Sequence, residues 1–179
     1  MMLSSGLFYS KLSYCLPLFI NTWGLDTYRD SNIRSISITK DDIRQLQVLQ
    51  NNLCRLILGE QGIYYKQNLP TQELLDRCGE LSVHQIGAQR TIMMVKKILR
   101  SEKPGYLSSK LVLRQTEEPG AVSNLSPVHA SLNITREGFL YRGIKLFNLL
   151  PEALKAENTL SIFKEGLKSW IKENISIKP

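Results

Sequence analysis

The sequence predicts a mainly α fold: an irregular helical domain of amphipathic helices, with a central loop and a C-terminal helical segment. Two observations carry that expectation. Apolar residues recur at three- and four-residue steps in three long stretches, the period that lines one side of a helix. Two of those stretches follow a Ser or Thr with an acidic or amide residue three positions on, the capping-box pattern that satisfies the open first turn of a helix.

The first segment, Met2 to about Asn21, is apolar with Pro17 inside it, so a helix that kinks or restarts at the proline is expected. Leu7 to Trp23 is interrupted by Lys11, Pro17 and Asn21, which leaves it too short and too polar for a membrane span of about 20 residues. It has neither a basic leader nor a small-residue cleavage site after Leu16 to Phe19, which argues against a secretory signal. A polar stretch from Asp26 to Ser37 follows. Ile36 and Ile38 alternate with serine over too few residues to separate a short strand from a loop.

Thr39 to Asp42 form a loose capping box, with acidic groups favoured by the helix dipole, so a helix is expected to begin there. Ile43, Leu46, Leu49, Leu53 and Leu56 form its apolar face; Arg44, Gln45, Gln47, Asn51, Asn52 and Arg55 form the opposite one, and Gly59 is placed to end it. A shorter helix around Gln72 to Arg77 leads to a second box, Ser82 to Gln85, where Leu81 can pack on Ile86 as a hydrophobic staple. That helix should run from Val83 to about Ser101 and stop before Pro104 and Gly105.

From about Arg114 to Asn133 the periodicity fades, and Pro119, Gly120 and Pro127 mark a mobile loop. Tyr141 to Leu150 reads as a short apolar helix, Pro151 begins another turn, and Thr159 can cap a final helix. Leu160, Phe163, Leu167, Trp170 and Ile171 form its apolar stripe, opposed by Lys164, Lys168 and Lys172, with fraying from Ile175 to Pro179. The expected organisation is a helical domain over 1–112, a linker over 113–135 and a C-terminal helical extension over 136–179 that packs back on the first part.

The 179 residues are enough for a substantial core, and 42% hydrophobic with 22% charged content excludes wholesale disorder. A formal charge of +7 favours anionic partners without specifying one. Cys15, Cys54 and Cys78 are odd in number, widely spaced and accompanied only by His84 and His129. Neither a disulfide framework nor a zinc site is expected, and free thiols in an intracellular compartment, nuclear or cytoplasmic, fit better.

Catalytic constellations are missing from the pattern. Asp41 and Asp42 could suggest paired carboxylates for magnesium, but they precede an amphipathic helix and are accounted for as its cap. His84 falls in a first helical turn with no nucleophile motif beside it, and no phosphate-loop, hydrolase-elbow or zincin motif occurs. A non-catalytic protein is expected, with no cofactor and no metal.

Basic residues are the remaining signal. On the helix from Val83, Gln85, Gln89, Lys96 and Arg100 share a face, with Lys97 and Lys103 nearby, and Lys164, Lys168 and Lys172 repeat the arrangement. Two such stripes could track a phosphate backbone. They are also what the wet side of an ordinary helix looks like.

Three blocks taken in order resemble the region following the palm in reverse transcriptases of non-LTR retrotransposons, the LINE-type and jockey-like elements. The first is Ser10 to Cys15 with Trp23 and Gly24. The second joins Leu46 to Gln50 with Arg55 to Gly59, followed by Leu81 to Gln85. The third is Tyr141 to Pro151 with Phe163, Lys164, Leu167 and Lys168, similar to the family's closing pattern RGxKLWNxLP followed by FKxxLK. The resemblance implies a thumb and C-terminal region that grips template and primer, with fingers, palm and endonuclease upstream. It therefore implies no polymerase activity for this chain, which it casts as a truncated open-reading-frame product. Expected phosphate contacts are Arg90, Lys96, Lys97, Arg100, Lys103, Arg142, Lys145, Lys164, Lys168 and Lys172. Expected partners are an RNA, RNA–DNA or DNA duplex and an upstream polymerase domain, with no membrane and no small-molecule substrate. The alternative is a helical interaction or scaffold module whose apolar faces, Leu7 to Trp23 above all, seek a protein partner.

Overall fold

In the computed structural model, residues 10, 40–58, 69–114, 124–127 and 138–175 are described. The expectations for Met2 to Ser37 other than Ser10, the Thr39 cap, Gly59, most of the loop and residues 176–179 lie outside them. Among the described residues seven helices follow in chain order: α1 (Lys40–Ile57), α2 (Thr71–Cys78), α3 (Val83–Ser101), α4 (Gly105–Ser108), α5 (Phe139–Asn148), α6 (Glu152–Ala156) and α7 (Leu160–Asn174). Among the described residues there is no sheet, only an isolated antiparallel bridge between Leu113 and Leu125. The short α4, just past the Pro104–Gly105 stop, had no signal in the sequence.

α3 is the central element, packed against α1, α4, α5 and α7. Its start is fixed as the sequence predicts. Ser82 Oγ accepts from the Gln85 N–H at 3.2 Å and Gln85 Oε1 accepts from the Ser82 N–H at 3.0 Å, while Leu81 and Ile86 join the same apolar core. At the other end Glu102 turns into the left-handed region, φ 53°, and its N–H donates to Ile98 O. The helix closes there, ahead of the proline.

α1 is helical where expected but shows its neighbours a different face. Leu49 and Leu56 are about half exposed, whereas Gln50 and Cys54 are fully buried. The physical reason lies in the hydrogen-bonding groups that α1 meets around the starts of α2 and α3. Gln47 Oε1 accepts from the Val83 N–H at 3.0 Å, Gln50 Nε2 donates to Leu81 O at 2.7 Å, and Asn51 Nδ2 donates to Thr71 Oγ1 at 3.0 Å. Each buried polar group left without a partner would cost roughly 1–3 kcal/mol. Leaving two leucines partly wet forgoes only a fraction of the ~1.5–3 kcal/mol that full burial of each would bring. The amides therefore turn inward, while Ile43 and Leu46 still reach the main core. Cys54 joins Leu74 and Leu75 in a smaller cluster.

α7 runs antiparallel to α3, with Phe163, Leu167 and Ile171 completely buried as the stripe predicts. Two details differ from expectation. Thr159 stands at the N-cap position, but its side chain makes no cap bond; its own N–H donates to Glu157 Oε1 at 2.6 Å. Ile175 is not frayed. It is buried in the core, and its carbonyl accepts from Gln85 Nε2 at 2.7 Å, which ties the end of α7 to the start of α3.

α5 lies against α3 at very short range. An ideal Cβ on Gly143 would stand 2.7 Å from Val95 Cγ2. Residues 124–126, inside the stretch expected to be mobile, are anchored instead. Leu125 is fully buried, and its N–H and C=O pair with the Asn148 side-chain amide at 2.8 and 2.9 Å. An amide side chain can pair a backbone N–H and C=O at once, a signal that loop-like composition around it conceals.

Candidate nucleic-acid interface

The ten basic residues expected to contact phosphates divide into those that hold the fold together and those that remain outward. Lys96 belongs to the first group. Its ammonium donates to Lys155 O at 2.6 Å and lies 5.3 Å from the centre of the Phe163 ring. Burial pushes its pKa below the ordinary lysine value, with Arg100 adding to the shift and Glu157 opposing it. The stripe of Gln85, Gln89, Lys96 and Arg100 is thus not an outward face: Gln85 and Gln89 are buried and Lys96 is half-buried. α3 is enclosed on several sides, and two of these residues bond its neighbours: Gln85 the residue that ends α7, Lys96 a carbonyl of α6.

Arg142 is buried, only 4% exposed, and is not on the surface that a phosphate could reach. Gly143 beside it draws this part of α5 onto α3, and that close approach carries Arg142 inside. Lys168 donates to Gly79 O at 2.6 Å, and Lys172 pairs with Asp76 at 3.3 Å. These two lysines fasten α7 to the end of α2. Lys145 is exposed on α5 with its ammonium 4.8 Å from the centre of the Tyr141 ring. Arg100 and Lys103 are exposed at and beyond the last turn of α3.

Arg90, Lys97 and Lys164 are brought together. They line a groove of about 350 Å³ with Gln89, Met93 and Met94, and all three cations are exposed. Among the described residues no acidic side chain lines it. The helix period explains the gathering: Arg90 and Lys97 are seven residues apart, two turns or about 10.5 Å along α3. Met93 and Met94 fall between them at three- and four-residue steps, and α7 contributes Lys164 from the other side. The two methionines and Gln89 were not among the expected contacts. The run Arg90, Met93, Met94, Lys97 does carry the signal, because three- and four-residue spacing puts all four on one helical surface.

Lys155 is a further buried lysine that the expectations passed over. Its ammonium donates to Asn124 Oδ1 at 2.7 Å and Asn148 O at 2.9 Å, and burial lowers its pKa against the opposing effect of Glu152. It joins α6, the end of α5 and the 124–127 segment.

Asp76 permits a pH prediction. The hydrogen bond from Gln72 Nε2, and next the bonded Lys172, hold its carboxyl below its ordinary value of 3.8. A depressed carboxylate contributes stability above its unfolded pKa and loses it as pH falls through the folded value. Acidification below about 4 is therefore expected to loosen the α2–α7 fastening. Thermal melts from pH 5 to pH 2 should show a small loss of stability that Asp76→Asn has already suffered at pH 5.

Among the described residues no group of His, Cys, Asp and Glu is placed to hold a metal ion, and no helix is long and apolar enough to cross a membrane. Cys54 is buried and Cys78 half-buried beside it, the Cys78 thiol donating to Cys54 O at 3.7 Å, and Cys15 lies outside the described residues. No protein-family model matches this chain, and neither does a curated protein or a solved structure. The class that fold and groove define is a mainly α body with a small cationic groove between its central and last helices.

Proposed function

We propose that this chain is a non-catalytic nucleic-acid-binding body that holds an RNA or DNA strand through its phosphates. This is the role implied by its resemblance to the thumb and C-terminal region of a non-LTR retrotransposon reverse transcriptase. The observation that carries the proposal is the convergence of Arg90, Lys97 and Lys164 on one groove, with no acidic side chain among the described residues of its lining. Like charges held together repel, and a polyanion relieves that repulsion by exchanging its condensed counterions for them. Arg100 and Lys103 add exposed positive charge at and beyond the last turn of α3. Such contacts position a strand without reading its sequence.

The test is the salt dependence of binding to a labelled RNA–DNA duplex, followed by fluorescence anisotropy. Three to five phosphate contacts predict a slope of log K against log salt of roughly −2.7 to −4.5. A slope near zero, or no saturable binding at low salt, would overturn the proposal.

A second function has an observation of its own: α1 leaves Val48, Leu49 and Leu56 about half exposed. These side chains suit a contact with a protein such as a separate polymerase domain. That association would survive high salt, which separates it from phosphate binding.

A further inference from the structure

We infer that the groove between α3 and α7 seats one unstacked nucleotide of a single strand, its base on Met93 and Met94 and its flanking phosphates on Arg90, Lys97 and Lys164. This rests on the nucleic-acid reading above and narrows it. The groove is not lined by charge alone. Its two methionines lie between the cations, and both are half-buried against the main core.

A duplex offers such a surface its charged backbone, with the base faces stacked inside, so the methionines would gain nothing from it. An unstacked base has an exposed π face, and thioether sulfur makes favourable contacts with aromatic rings. Strand-binding grooves combine these same two elements, cations that follow the backbone and a platform for the base. The volume of about 350 Å³ lies near the small end of ligand sites, which run from about 300 to 1,000 Å³. Gln89, largely buried but part of the groove's lining, adds one amide that can donate and accept.

The spacing of the cations favours a strand over other anions with an apolar part. Arg90 and Lys97 lie two turns apart on α3 with the methionines between them. A nucleotide within a strand has a phosphate on each side of its base, whereas a lipid headgroup or a single acidic side chain brings its charge to one end. Both ends of the groove are met only in the first case.

The experiment compares three labelled nucleic acids, with a labelled glutamate–leucine copolymer beside them, on the unaltered protein by anisotropy at low salt: a 12-residue single strand of thymidines, the same strand made of abasic residues, and a duplex of equal length. The intact strand is expected to bind about five- to tenfold tighter than the abasic one, within the range that base stacking supplies. With methyl-labelled methionine, the Met93 and Met94 resonances should shift on adding the intact strand and not the abasic one. Equal binding of intact and abasic strands, with no methyl shift, overturns the inference while leaving phosphate binding intact. Failure of all three nucleic acids to bind overturns both. Tighter binding of a glutamate–leucine copolymer than of the intact strand overturns the inference in favour of a protein ligand.

Discussion

Replacing Gly143 by leucine is expected to unfold the main body of the protein at room temperature, and even Gly143→Ala should lower its stability. A Cβ at this position would lie 2.7 Å from Val95 Cγ2 and 3.7 Å from Thr91 Cγ2. Val95 is completely buried within α3, and a β-branched side chain in a helix has one strongly preferred rotamer, so its methyl has nowhere to turn. Two effects oppose each other. Alanine gains about 0.5–1 kcal/mol over glycine inside a helix, while overpacking a tight contact costs about 1–3 kcal/mol. The second should win, and a leucine, which cannot be absorbed by a small shift of α5, should cost more still.

Urea denaturation of Gly143→Ala, Val95→Ala and the double variant measures this directly. Val95→Ala removes the obstructing methyl at the cost of a cavity, so the added Cβ should be far less harmful in that background. The two changes should be non-additive by 1 kcal/mol or more, as neighbours in contact commonly are. A Gly143→Ala protein more stable than the original would mean that α3 and α5 separate at little cost, and would remove the packing reason for glycine in this block. Because α3 also carries Arg90 and Lys97, loss of this contact should weaken ligand binding only in proportion to the unfolded fraction.

The sequence was most legible where local chemistry decides structure. The Ser82–Gln85 box fixes the start of α3, and the stripe of Phe163, Leu167 and Ile171 becomes the buried face of α7. It was least legible where a choice depends on what lies opposite. The periodicity of α1 reveals two faces without saying which turns inward; Gln47, Gln50 and Asn51 do so because the Val83 N–H, the Leu81 carbonyl and the Thr71 hydroxyl lie opposite them as partners. α3 posed a similar difficulty. Ile86, Ala88, Ile92, Val95 and Ile98 are all buried and are spread widely around the helix, as suits an element enclosed by others. An opposite-face rule applied to such a helix assigned Lys96 to solvent when it belongs to the α6–α7 corner. Of the outward cations of α3, Arg90, Lys97 and Arg100, the first two line the groove, and only the packing of α7 adds Lys164 to them.

That sorting predicts that binding and stability can be damaged separately. The triple variant Arg90→Glu, Lys97→Glu, Lys164→Glu should lose affinity for nucleic acid by on the order of a hundredfold at low salt, and its salt slope should flatten by about 3, near 0.9 for each phosphate contact removed. All three side chains are exposed, so the melting temperature should change little. Lys96→Met should do the opposite. It deprives the Lys155 carbonyl of its donor and breaks the contact with Phe163, a loss of roughly 1–3 kcal/mol for a buried acceptor left unpaired. The folded fraction should keep its affinity and its salt slope. Charge loss alone does not distinguish the variants, since Lys96→Met also removes a cation; only the direction in which each lysine points does. If Lys96→Met weakened binding as severely as the triple variant while leaving the melting temperature unchanged, Lys96 would have to reach the ligand, and the division between fastening lysines and groove cations would be wrong.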